Sequence, residues 1–219
     1  MSTRATDYRE AIDHLPAGAA LVLFDVSWED YEALLEDLAD RPGVRVTYDQ
    51  GSVEIMSPRR RHEKCKELIG HLIALLADEL SIDVESSGST TWKRRRDQRA
   101  IEPDLCFHIA NAARVIGKDE LDLDVDPPPD LAVEIDVTNE SLTKFPIYAA
   151  LGVPELWRCV SKRKSVLMYE LAEGEYVEVA ASRSFPMLTP TVLADFLEQS
   201  ETTGRTNALA LFRRWLRAR

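Results

Sequence analysis

The chain has 219 residues, 45% of them hydrophobic and 30% charged, and a formal net charge of −11, a balance that argues against a simple nucleic-acid coat protein because phosphate binding runs on Lys and Arg. That length buries one good core and is short for two, so one domain over 1–219 is expected, with its core at about 25–198. No apolar run approaches the roughly 20 residues of a membrane helix, Met1 to Leu15 is too charged for the apolar part of a signal peptide, and the three cysteines Cys65, Cys106 and Cys159 each sit in apolar stretches, which points to a cytoplasmic protein with reduced thiols and no paired-cysteine zinc site.

Along the chain, Trp28 to Ala39 reads as a helix with Ser27 as N-cap, because Trp28, Tyr31, Leu34, Leu35 and Leu38 fall at helical spacing. Val44 to Tyr48 and Val53 to Met56 form a hairpin around Asp49-Gln50-Gly51. After Ser57-Pro58 comes the strongest periodicity: Cys65, Leu68, Ile69, Leu72, Ile73, Leu76 and Leu80 recur at three- and four-residue steps. His62 falls within that apolar face, whereas Glu63 and Glu67 point away from it. Ile82 to Trp92 and Ala100 to Ile109 read as two strands, with Lys93, Arg94, Arg95, Arg96 and Arg99 at the hairpin tip between them.

Asp122 to Asp130, with Pro127-Pro128-Pro129, is a loop, since three prolines can continue neither a helix nor a central strand. Leu131 to Val137 is short, largely β-branched and almost continuously apolar, as a strand covered on both faces requires. A helix from about Lys144 to Leu151 follows, with Thr143 as N-cap, Pro146 in its first turn and Gly152 closing it. Strands are expected at Glu155 to Val160, Ser165 to Leu171 and Tyr176 to Ala180. At about 206–218, Leu209, Phe212, Trp215 and Leu216 make an apolar stripe among arginines, which fits a helix packed on its own domain or, less simply, on a dimer mate. The sum is an α/β or α+β fold, a mixed β-sheet flanked by helices with an N-terminal helix and β-hairpin.

Charge is partitioned. Basic residues gather at Arg59 to Lys66, at Lys93 to Arg99 and at Arg205 to Arg219, while Asp119 to Glu140 carries nine acidic residues. In Ile101-Glu102-Pro103-Asp104-Leu105, alternation puts Glu102 and Asp104 on one face; in Leu131-Ala132-Val133-Glu134-Ile135-Asp136-Val137 it puts Glu134 and Asp136 together. Carboxylates in an apolar strand need a cation, a basic partner or a raised pKa. Two of them, Asp104 and Glu134, suit a hard divalent cation completed by water and phosphate. Lys144 at a helix start opposes the helix dipole, so helix stability does not explain it; orienting a water or meeting a phosphate would.

The ordered set Val53-Glu54-Ile55-Met56-Ser57-Pro58 with His62, then Pro103-Asp104-Leu105, then Pro129-Asp130-Leu131-Ala132-Val133-Glu134, then Lys144 with Tyr148 and Gly152-Val153-Pro154-Glu155-Leu156-Trp157, resembles the Uma-two family of restriction endonucleases, within the PD-(D/E)XK nuclease superfamily. The resemblance implies a restriction-endonuclease-like core, Mg²⁺ (or Mn²⁺) dependent hydrolysis of DNA, and a homodimer. It implies Asp104 and Glu134 as catalytic metal ligands, Lys144 as the base supplied from the following helix, and His62 and Glu54 as supporting residues. Asp136 stands where the superfamily carries lysine and is a further candidate. The basic tip Lys93, Arg94, Arg95 and Arg96 would meet nucleic acid. The competing readings are a catalytically silent nucleic-acid-binding or dimeric regulatory module on the same fold, and an acidic protein-interaction module.

Overall fold

In the computed structural model of the chain, the described residues are 12, 14–38, 43–57, 60–88, 90–136, 143–160 and 163–219. Ala39, Pro58, Arg59 and Val137, which bound or belong to expected features, lie outside them. Among the described residues there are eleven strands and six α-helices, arranged on two sheets.

The smaller sheet is antiparallel throughout, in the order β1-β3-β2-β6-β5, from Ala20–Leu23 (β1), Arg45–Asp49 (β2), Ser52–Met56 (β3), Trp92–Arg94 (β5) and Arg99–Ile101 (β6). The hairpin of β2 and β3 turns at Gln50-Gly51, where both residues take positive φ and glycine adopts it without strain. Val46, Tyr48, Val53 and Ile55 face helix α1 (Trp28–Leu38) and pack with Trp28, Tyr31 and Leu38 into one core. The opposite, polar face carries Arg45, Thr47 and Glu54, with Thr47 directly across from Glu54.

The larger sheet runs β11-β10-β9-β8-β7-β4, from Glu85–Gly88 (β4), Leu105–His108 (β7), Leu131–Asp136 (β8), Glu155–Val160 (β9), Ser165–Ala172 (β10) and Glu175–Val179 (β11). Only the central β8 and β9 are parallel; each of their residues is buried, as expected for strands covered on both faces. Leu131, Val133 and Ile135 point to helix α2 (Arg60–Leu80), which forms the main core with α5 (Pro190–Thr203) and α6 (Arg205–Arg217). Ala132, with Cys106 and Leu156, packs on the other face against Ile147, Tyr148 and Leu151 of α4 (Phe145–Leu151).

The C-terminal stripe packs on its own chain: Ala208, Phe212 and Leu216 are buried, and Arg205, Arg213 and Arg217 pair with Glu67 and Glu79 of α2. Helix α5 and the four-residue α3 (Ala112–Val115) were outside the sequence expectations, as was β1. For α5 a signal exists: Thr189 accepts from the Val192 amide at 3.3 Å, with Pro190 directly after it.

The two continuous strands expected at Ile82 to Trp92 and Ala100 to Ile109 are each broken, and the pieces are divided between the sheets. The pairing of β4 with β7 shifts register between Ser86 and Gly88, and Pro103, without an amide N–H, interrupts the second run between β6 and β7. This break carries the chain from one sheet to the other and leaves Asp104 at the junction.

Candidate active site

Glu102 and Asp104 therefore do not share a strand face. Glu102 turns toward the smaller sheet, where its Oε1 accepts from Thr91 Oγ1 at 2.9 Å and its Oε2 from the Val46 amide at 3.4 Å. Asp104 turns toward β8: its Oδ2 accepts from the Ile135 amide at 2.7 Å and lies 2.8 Å from His62 Nε2. His62, at the start of α2, also places Nδ1 3.3 Å from Glu63 Oε1; both contacts have ion-pair distance but lie off the line of a good hydrogen bond.

Glu134 comes from the middle of β8. Lys144 Nζ donates to its Oε2 at 3.1 Å, and the Tyr148 hydroxyl donates to its Oε1. One turn of α4 separates the two donors, which is why Lys144 and Tyr148 reach the same carboxylate. Lys144 itself occupies the N-cap position expected for Thr143; its ammonium has only donors and so cannot cap the helix amides, and it goes to Glu134 instead.

The groups are almost fully buried: Asp104 and Glu134 are 2% exposed, His62 3% and Lys144 5%. Burial pushes the Glu134 carboxyl up to about 7; the Asp104 charge adds to this, against the opposing pull of Lys144 and Tyr148. Burial works against charge on Lys144, but Glu134, Asp104 and Glu54 outweigh it and raise its pKa. Likewise burial disfavours the His62 imidazolium, and Asp104 and Glu63 more than compensate, so its pKa is raised. For Asp104 burial is outweighed by His62, Lys144 and the Ile135 amide, which hold its carboxyl below the usual range. The cluster is thus a buried acid–base set in which burial raises Glu134 while its neighbours favour the charged forms of Asp104, Lys144 and His62.

The Uma2 family, described as "Putative restriction endonuclease", matches residues 28–200. The chain belongs to the Uma2 family. Among solved structures, a protein of Anabaena variabilis ATCC 29413 described as "a putative nuclease belonging to DUF820" is 14% identical, with a TM-score of 0.50 over 69% of this chain and 90% of that one, a likeness of fold. No curated protein matches the sequence. For this Uma2 member the structure brings Asp104, Glu134, Lys144 and His62 together and sets Glu54 on the facing wall, near enough for its charge to act on Lys144.

Asp136 is otherwise engaged. Arg158 of β9 donates from Nε to its Oδ2 at 2.5 Å, with both side chains buried, so Asp136 is a capped carboxylate and not an open ligand. Arg94 of the basic tip is also committed: its Nη1 and Nη2 donate to the Ala150 and Leu151 carbonyls at 3.2 and 3.1 Å, satisfying the C-terminus of α4. Arg94 therefore acts as a helix-end clamp in this structure. Lys93, Arg95 and Arg96 are exposed and pair with Glu32, Glu29 and Asp124.

Two residues of the centre escaped sequence reading. Arg158 is the one charge in Leu156-Trp157-Arg158-Cys159-Val160, a signal that needed the knowledge that β8 and β9 are neighbours. Arg45 lies with Nε 4.0 Å from Asp104 Oδ1, and only the alternation of the hairpin strand hinted that it leaves the apolar face. Among the described residues no group of three or more His, Cys, Asp or Glu side chains is spaced to hold a metal ion. By donor chemistry Asp104 and Glu134 nevertheless fit a hard divalent cation, which takes oxygen donors and needs one or two carboxylates from protein; in this structure Lys144 and Tyr148 hold the two Glu134 oxygens.

Proposed function

We propose that this chain is a metal-dependent endodeoxyribonuclease hydrolysing phosphodiester bonds at the Asp104–Glu134–Lys144 centre, and that 1–219 forms one domain. The observation that carries the reading is the meeting of Lys144 and Tyr148 on Glu134, beside Asp104, at the break between two sheets. A buried carboxylate pair with a lysine is costly as pure structure and is what phosphate chemistry requires.

Asp104 and Glu134 would hold Mg²⁺ or Mn²⁺, which when bound supplies charge neutralisation at the phosphate and an acidified water. His62 and the Ile135 amide fix the Asp104 carboxylate; Tyr148 fixes Glu134. Lys144 neutralises the excess of carboxylates and stands ready to position the attacking water or a phosphate oxygen. A homodimer would place a second centre for the second strand of a duplex.

The near-complete burial of the centre favours one other reading, a silent nucleic-acid-binding or regulatory module that retains the residues without turnover. Incubating supercoiled plasmid with the protein in Mg²⁺, Mn²⁺ or EDTA separates the two. The nuclease gives nicked and linear products with metal and none in EDTA; binding without cleavage under either metal identifies the silent module.

A further inference from the structure

The polar face of the smaller sheet carries a cation that the Asp104–Glu134–Lys144 set does not use. Arg45 opens β2, and because Val46 and Tyr48 point into the core with α1, Arg45 and Thr47 point the opposite way, toward the junction where the chain crosses between sheets. Arg45 Nε is buried and has no hydrogen-bond partner. Among the described residues its nearest carboxylate oxygen, Asp104 Oδ1, is 4.0 Å away, and Nη1 makes a long 3.4 Å contact to the Val44 carbonyl.

Glu102, the other acid beside it, has its two oxygens engaged by Thr91 and the Val46 amide. A guanidinium presents a planar fork of donors suited to two oxygens at once, and among the described residues no carboxylate closes on it more nearly than Asp104 at 4.0 Å. Arg45 is also more open than its neighbours: its side chain is 13% exposed, against 2% for Asp104 and 6% for Lys144. Of these three charged groups, Arg45 is the most accessible from solvent.

We propose that Arg45 is a substrate-binding residue that grips a phosphate of the DNA strand at the Asp104–Glu134 centre with its guanidinium fork. This rests on the nuclease reading. Carboxylates around a phosphodiester repel it; a fork donating two hydrogen bonds to its non-bridging oxygens offsets that repulsion and fixes the phosphate next to Asp104.

The test is duplex DNA binding by fluorescence anisotropy in EDTA across a salt series, together with cleavage in Mn²⁺, for wild type, Arg45→Gln and Arg45→Lys, each checked by circular dichroism. Arg45→Gln is expected to weaken binding and to lower the slope of log affinity against log salt by about 0.9, one phosphate contact. Arg45→Lys keeps the charge and restores the slope, but without the fork it cleaves about 100-fold more slowly than wild type. Wild-type slope and cleavage in both variants would overturn the role of Arg45 while leaving the nuclease reading intact. A wild-type protein that neither binds nor cuts DNA would remove that reading and Arg45's role together. If Arg45→Gln does not fold, Arg45→Lys decides: cleavage at the wild-type rate overturns the proposal.

Discussion

Glu134 is buried, touched by one ammonium and one hydroxyl, and close to a second carboxylate, so its protonation contributes to how the metal-free protein responds to pH. Its folded-state pKa, about 7, stands above its ordinary value of 4.5, so the folded chain holds a proton that the unfolded chain has released between those values. Its contribution to stability is full below the unfolded value and is lost as pH rises through about 7. His62, also raised, has the same sign; Asp104, lowered, has the opposite one and loses its contribution as pH falls below its ordinary range. In EDTA the melting temperature of wild type should therefore fall between pH 5 and pH 8 more steeply than that of Glu134→Gln; equal slopes would show that Glu134 titrates normally. Asp136 is paired with Arg158. Asp136→Asn strands a buried guanidinium and should destabilise by roughly 3 kcal/mol in urea unfolding, while the remaining folded protein still binds Mn²⁺ in calorimetry. Loss of Mn²⁺ binding with stability unchanged would return Asp136 to the metal site. Asp104, Glu134 and Lys144 were legible as residues because carboxylates in apolar strands and a lysine at a helix start each contradict local physics. Arg45 and Arg158 were not, since a charge in a strand acquires meaning only from the strand lying next to it.

At the scale of elements, the site depends on where β6 ends and α4 begins. Periodicity gave α2 and α4 and the strands β8 to β11 nearly to the residue, because burial on one face or on both leaves a regular spacing. It could not divide Ala100 to Ile109 between two sheets: the residues on either side of Pro103 look alike, and only pairing partners distinguish them. Arg94 links these pieces, reaching from β5 to the last carbonyls of α4, the helix whose first turn presents Lys144 and Tyr148. Arg94→Ala should cost about 1–3 kcal/mol in thermal or urea unfolding by leaving those carbonyls without donors, with the salt dependence of DNA binding unchanged. A reduced salt slope with full stability would instead make Arg94 a phosphate contact.

For the whole molecule, the net charge of −11 conceals local balance. Arg205, Arg213 and Arg217 pair with Glu67 and Glu79 on α2, and the exposed Arg95 and Arg96 of the β5–β6 turn pair with Glu29, Glu32 and Asp124, so much of two basic clusters visible in the sequence is spent on ion pairs in the fold. Sequence clusters record which charges are near along the chain and carry no information on the acids that folding brings beside them. Among the described residues, Arg45 and Lys144 are cations placed at the junction of the sheets, beside Asp104 and Glu134. The most direct measurement of the nuclease reading is plasmid cleavage in Mn²⁺ by wild type and Glu134→Gln, with folding verified by circular dichroism. The glutamine variant is expected to stay folded and to lose cleavage by at least about 100-fold; a folded Glu134→Gln protein that cleaves at the wild-type rate would contradict catalysis at this centre.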